Sequence, residues 1–443
     1  MRKRRASLVA LLAILASVAA VSSAGGGDSS SAQAVTLKYV DDIYGDPSQR
    51  KAQLEMIRIF ERQNPNVKVQ YEFKPFSQWV GTAKLALQGS GAPDVLICAA
   101  YDTCNAELVK GGLIIPQEKY AKQYNWFRGI PEELVKETRH EKDGTTFRGQ
   151  SYGPAQTYDL VGWYYNRAKL RELGVGVPKT QAQFEQALAK AKAAGETPII
   201  YGDLSKVDLG YTFMQQLGYE APPNTLRTWM FRTGTPNLTG AITRAAAKLK
   251  RWYDSEYFND DIFGVDQYTA ITRFNKGEGV FISTGAWWTG LLTDLGNDAG
   301  YMLPPPKKAG DRPRAIFSLS NSLVVSSKSK NPDIAAKFIA WLVSSKSTPI
   351  RVKYGMNATP ISAVKPQDAP TATGREVLRA MKTMGTRGHP LPWLDPSPRM
   401  LLQIYGAGLQ EVLGGKKSVA AFAREVVAEQ RAQYRERVKK GYR

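Results

Sequence analysis

The chain has 443 residues, 43% apolar and 23% charged, which excludes a miniprotein, a collagen-like repeat and a wholly disordered polymer, and allows two or three domains at ~150 residues each. Its 60 Lys and Arg against 40 Asp and Glu give +20. That sign suits nucleic acid, an anionic surface or an acidic ligand, without choosing among them.

The first element is not structural. Arg2, Lys3, Arg4 and Arg5 precede an apolar run from Leu8 to Val21 and then small residues, the pattern of an export signal over 1–24. The run is shorter than the ~20 residues a helix needs to span a bilayer, and a Gly-, Ser- and Ala-rich spacer follows at 25–34. Removing the signal takes away four basic residues and leaves +16. No later apolar run is long enough to span, so an exported protein at the cell envelope or in the periplasm is expected. Val21-Ser22-Ser23-Ala24 resembles a lipobox in which Ala24 stands where the lipidated Cys belongs, so no lipid can be attached at that position. The two cysteines, Cys98 and Cys104, would meet an oxidising compartment, where an even count favours a disulfide. No metal site is expected, because His140 and His389 lie far off and no CxxC or HxxxH spacing occurs.

Past the spacer, β and α patterns alternate. Strands are expected at 35–40, 67–73 and 94–99, and helices at 48–63, 79–88 and 105–112, the last ended by Gly111 and Gly112. A second α/β series opens with a strand at 159–165 and helices at 167–173 and 181–194, then helical segments at 211–217, 240–252 and 267–275 and a strand at 279–283. Leu303 to Pro306 reads as a connector before a strand at 322–326 and a helix at 332–344. Helical patterns at 377–382 and 400–413 precede a last amphipathic helix at 418–439, whose polar side is basic. Alternation of this kind implies an α/β sandwich.

Catalytic motifs are weak. Gly149-Gln150-Ser151-Tyr152-Gly153 matches a nucleophile elbow, but Pro154 and a β-like segment follow where a helix is required. Asp41-Asp42 and Asp260-Asp261 are adjacent acids, which cap or solvate loops more often than they flank a glycosidic bond. No glycine-rich phosphate loop with correct spacing is present, and no cofactor is expected. What stands out is aromatics beside acids and turns, among nine Trp and 21 Tyr: Tyr101-Asp102, Tyr158-Asp159, Trp287-Trp288 and Trp393-Leu394-Asp395. Sugars want both partners, ring faces for their CH groups and charged hydrogen-bonding groups for their hydroxyls.

Phe60-Glu61-Arg62-Gln63-Asn64-Pro65, Gly91-Ala92-Pro93-Asp94-Val95, Tyr152-Gly153-Pro154 leading to Tyr165-Asn166, and Phe274-Asn275-Lys276-Gly277-Glu278-Gly279 to Gly285-Ala286-Trp287 follow one another in an order that resembles a known family. It is that of the extracellular solute-binding proteins of ABC carbohydrate importers, which includes maltose-binding protein. The resemblance covers nearly all of the chain past the spacer. It implies a two-lobed periplasmic-binding-protein fold, with one lobe from 35–155 plus 302–345 and the other from 156–301 plus 346–443, closing by a hinge on a cleft. It further implies ligand contacts from Asp42, Tyr101, Asp102, Tyr158, Asp159, Trp287, Trp288 and Trp393, whereas Ser320-Asn321 departs from the usual Gly-Gly at one cleft edge.

The expected function is therefore capture of a carbohydrate by a monomeric, non-catalytic protein, and its delivery to an ABC permease coupled to a cytoplasmic ATPase. No nucleic-acid partner is expected. The excess of positive charge raises an acidic oligosaccharide as one form of the ligand, with Arg387 or Arg314 as its partner. A binder of phosphodiesters, polyamines or peptides on the same scaffold is the alternative, with a secreted glycoside-acting enzyme behind it. Under the main reading, Trp287→Ala should weaken sugar binding with little change in the melting of the empty protein.

Overall fold

The computed structural model describes residues 34–41, 47–99, 104–319, 321–357, 359–393, 397 and 399–439. The first lobe is built on a four-stranded sheet of order β10-β3-β1-β2, made of β1 (Val35–Asp41), β2 (Val67–Phe73), β3 (Val95–Ala99) and β10 (Asn321–Val325). β1 lies parallel to β2 and β3, and β10 runs antiparallel to β3. The period-2 alternation of these strands sorts their side chains onto two buried faces. Leu37, Tyr39, Val95, Ile97, Leu323 and Val325 pack with Met56 and Phe60 of helix Pro47–Gln63 and Phe338 of helix Pro332–Leu342. On the opposite face Val40, Leu96, Cys98 and Val324 meet Trp79 and Leu87 of helix Phe76–Gln88. A two-stranded hairpin, β4 (Arg139–His140) and β5 (Gln150–Ser151), sits against this lobe. A Cβ at Gly144 in its turn would lie 2.5 Å from the carbonyl oxygen of Ala106.

The second lobe has a sheet of order β11-β9-β6-β7, formed by β6 (Asp159–Asn166), β7 (Phe281–Gly285), β9 (Arg314–Ser318) and β11 (His389–Leu391), with β8 (Ala299–Met302) also pairing β6. All eight residues of β6 are buried. Helices Asp208–Glu220, Thr239–Asp254 and Val419–Lys439 cover it with a single large core. The final helix turns Phe422, Val426 and Val427 inward, as its periodicity predicts.

Three stretches of chain join the lobes, and two of them pair as one antiparallel ribbon. Ala155 bridges Ser322 at the first sheet, and Asp159 stands opposite Ser318 in the second. Gly153 at the base of this ribbon has φ +155, and a Cβ there would lie 1.9 Å from the carbonyl oxygen of Leu323, so only glycine lets the two strands approach. The third stretch leaves helix Thr348–Lys353 and is tied to the first by Asn357 Nδ2, which donates to the Tyr158 carbonyl at 2.9 Å.

The lobe limits therefore differ from those expected from sequence. β8 and β9 belong to the second sheet, so the chain returns to the first lobe between Ser318 and Asn321 and not at 302. Helix Thr348–Lys353 packs on helix Pro47–Gln63 of the first lobe, which moves the last crossing beyond 346. β8, β9 and β11 were not expected as strands, because they are three to five residues long and get their partner from β6 or from one another. Gly149 to Gly153 is no elbow. Ser151 lies in β5 with its hydroxyl 3.2 Å from that of Thr138, and extended chain follows it.

Candidate functional site

β7 ends at Gly285 and runs directly into a two-turn 3-10 segment, Ala286–Leu291. A Cβ at Gly285 would lie 2.0 Å from the Trp287 ring, so the glycine lets that ring fold back over the strand end. There Trp287 meets Tyr211, from helix Asp208–Glu220, at 6.2 Å between ring centroids, and Trp393, two residues past β11, at 6.0 Å. Tyr211 and Trp393 are themselves 5.5 Å apart with planes at 64°. Three rings from three separate elements thus form one cluster. Offset and edge contacts of this kind are the favourable aromatic geometry and hold the three rings together.

Buried polar groups gather where the first lobe meets this cluster. Gln49 Nε2 donates to the Trp287 carbonyl at 3.0 Å, and Gln53 Nε2 donates to Gln156 Oε1 at 3.0 Å. Asp41 ends β1 and Asp159 begins β6, both almost fully buried. Asp41, Gly285 and Trp393 lie at or just past the carboxyl ends of β1, β7 and β11, where open α/β sheets receive ligands.

On the outer side of Trp393, Phe147 from the first-lobe hairpin stacks on Phe231 of the second lobe at 3.8 Å. Beyond that pair lies a cavity of about 400 Å³ lined by both lobes, among them Glu107, Lys110, Thr146, Arg232, Gln433 and Glu436.

The residues expected from sequence fall in different places. Trp287 and Trp393 meet in one ring cluster, while Asp159 is buried at the start of β6 opposite Ser318. Trp288 turns the other way: its Nε1 donates to Gln267 Oε1 at 2.7 Å and its ring lies 5.7 Å from that of Tyr268. Gln267 in turn donates to Asp208, whose carboxyl is raised far above the usual range by burial and by neighbouring Asp203. Tyr158 stacks on Phe317 at 4.7 Å, and burial pushes its phenol up to about 12. Arg387 is exposed at the end of helix Ala372–Arg387, on the opposite end of β11 from Trp393, while Arg314 donates to the carbonyls of Gly218 and Ala221. Asp42, Tyr101 and Asp102 lie outside the described residues; in sequence they directly follow β1 and β3. Cys98 and Cys104 are disulfide-bonded, with Cα atoms 5.8 Å apart. Among the described residues no group of three His, Cys, Asp or Glu is placed to hold a metal.

Tyr211, Phe147, Phe231, Gln49, Gln53 and Gln156 went unnoticed in the sequence. Gln49 and Gln53 share one helix face at i, i+4, where Gln49 reaches the second lobe at Trp287 and Gln53 reaches the crossing strand at Gln156.

A model of the bacterial extracellular solute-binding proteins matches residues 28–349. The chain belongs to this family. The multiple sugar-binding protein of Streptococcus mutans is 22% identical over 336 residues, 74% of this chain and 75% of that one. Two solved structures share the fold. One is a chitin oligosaccharide binding protein (TM-score 0.73, 18% identity, 90% of this chain and 99% of the other). The second is the GacH receptor of Streptomyces glaucescens, solved unliganded and with acarbose (TM-score 0.72, 21% identity, 92% of this chain and 99% of the other). The two-lobed fold is that of sugar-binding ABC substrate-binding proteins, which are binding proteins and not enzymes. The family is extracellular, and among the described residues no helix is long and apolar enough to cross a membrane.

Proposed function

We propose that this protein captures a neutral oligosaccharide outside the membrane by closure of its two lobes and delivers it, as a monomer, to an ABC permease driven by a cytoplasmic ATPase. The observation that carries the reading is the cluster of Trp287, Tyr211 and Trp393, to which the first lobe adds the buried amide of Gln49. Aromatic rings beside a polar amide suit a sugar ring, which presents CH groups on its faces and hydroxyls at its edge. The names of the relatives and neighbours, a multiple sugar-binding protein and a receptor bound to acarbose, agree with it. A neutral ligand is favoured over an acidic one because Arg314 is committed to helix-end carbonyls and Arg387 stands away from the rings. Closure and ligand stabilise each other only if the ligand binds the closed form better than the open one.

The test is a thermal-shift panel of neutral, acidic and amino oligosaccharides on the protein lacking residues 1–24, followed by titration calorimetry and product analysis. A ligand at 100 times its Kd stabilises the native state by about 2.7 kcal/mol, an easily read shift. Binding of neutral saccharides without turnover is expected. A response confined to phosphodiesters, polyamines or peptides, or release of shortened sugars, would overturn the reading.

A further inference from the structure

The outer cavity and the three-ring cluster are not continuous. Thr146 and Arg232 line the cavity, one from each lobe. The neighbours of these two residues in sequence, Phe147 and Phe231, stack on each other at 3.8 Å, and Trp393 packs against the same pair. Passing inward, the order is therefore polar cavity, Phe147–Phe231 pair, Trp393, and then Tyr211 with Trp287. One ring of the pair belongs to the hairpin between β4 and β5, and the other follows helix Pro223–Met230. Both supporting backbones are unusual. Phe147 has φ +69 and Arg232 has φ +51, left-handed conformations that a side-chain-bearing residue keeps only when its surroundings impose them. One of them carries a ring of the pair and the other directly follows the second ring, whose own backbone is ordinary at φ −87.

We propose that the Phe147–Phe231 pair is a wall that divides the cleft and sets how long a saccharide the protein accepts. This rests on the oligosaccharide reading above. With the pair stacked, sugar units on Trp287, Tyr211 and Trp393 end at the wall. A longer chain must part the two rings to reach the cavity, whose Glu107, Lys110, Gln433 and Glu436 would then offer hydrogen bonds to the added units. Parting the rings also parts the lobes at that point, so chain length is read as a loss of closed-state contact.

The test uses Phe147→Asn, since asparagine tolerates the left-handed backbone and removes the ring, and Phe231→Ala from the opposite lobe as an independent variant. Affinities for xylo- and malto-oligosaccharides of increasing length are measured by calorimetry on wild type and both variants. The ratio of long-chain to short-chain affinity should rise at least tenfold in each variant. An unchanged ratio, or an equal loss at every length, would overturn the proposal. If the wild type binds none of these saccharides, the oligosaccharide reading fails by itself, and the wall is still tested without ligand. Acrylamide quenching of Trp393, isolated by subtracting the Trp393→Phe background, should about double in both variants, and unchanged quenching would show that the pair divides nothing.

Discussion

Replacement of Trp393 by alanine is the sharpest test of the ring cluster. The ring is half-buried, touches Tyr211 at 5.5 Å and Trp287 at 6.0 Å, and closes one side of the cleft without carrying the lobe core. Losing two ring contacts costs about 1 kcal/mol each, and in a protein of this size that lowers the melting temperature of the empty protein by a few degrees. As an aromatic anchor for a ligand it should contribute about 2 kcal/mol or more, which is about a 30-fold weaker Kd. Trp287→Ala is a poorer probe. Trp287 is 5% exposed and fits against Gly285, so its removal leaves a core cavity worth about 3 to 5 kcal/mol; the expectation that this variant melts like wild type is corrected by its burial. Calorimetry with the best saccharide of the panel, paired with melting of the empty protein, separates the two effects. An affinity for Trp393→Ala within twofold of wild type would refute the assignment of this cluster as the sugar platform.

Three further outcomes are expected. Reduction of Cys98–Cys104, which lie six residues apart, should remove about 2 kcal/mol of stability on the chain-entropy account and weaken sugar binding, since the bridged loop holds Tyr101 and Asp102; denaturation and titration with and without dithiothreitol check both. Burial drives the His140 imidazole down to about 4 from 6.5, so the unfolded chain takes up its proton first and stability is lost as pH falls between those values. His140→Phe, which keeps a ring against Tyr152, should recover about 3 kcal/mol of that loss by pH 4, read as a melting-temperature gap that widens on acidification and is flat above pH 7. Arg351 is fully buried and donates to the carbonyls of Leu342 and Thr359, pinning the third crossing to the first lobe. Arg351→Met strands those two acceptors at about 1 to 3 kcal/mol each, so urea denaturation should show a loss of about 2 to 6 kcal/mol.

The first three strands and their helices could be located from sequence because apolar runs of five to seven residues, alternating in β2 and continuous in β3 where both faces are covered, are a strong local signal beside turn residues. β8, β9 and β11 carry no such signal. Each is short, and what makes it a strand is a ladder with residues far away in the chain, such as Trp163 with Met302 or Ile316 with Leu391. The same reason explains the misplaced lobe limits. A crossing is defined by which sheet a strand joins, and pairing is a non-local choice.

For the site, the sequence by itself determined the family and the cysteine pair, and it singled out Trp287 and Trp393, whose rings meet. Side-chain direction was left to the tertiary structure. Two adjacent tryptophans look equivalent as letters, yet the 3-10 turn after Gly285 sends Trp287 to the rings and Trp288 to Gln267. Phe147 and Phe231 meet only where the two lobes meet, and Tyr211 joins Trp287 and Trp393 only once the second lobe is folded, because contacts between residues 76 to 182 positions apart leave no periodicity in either segment.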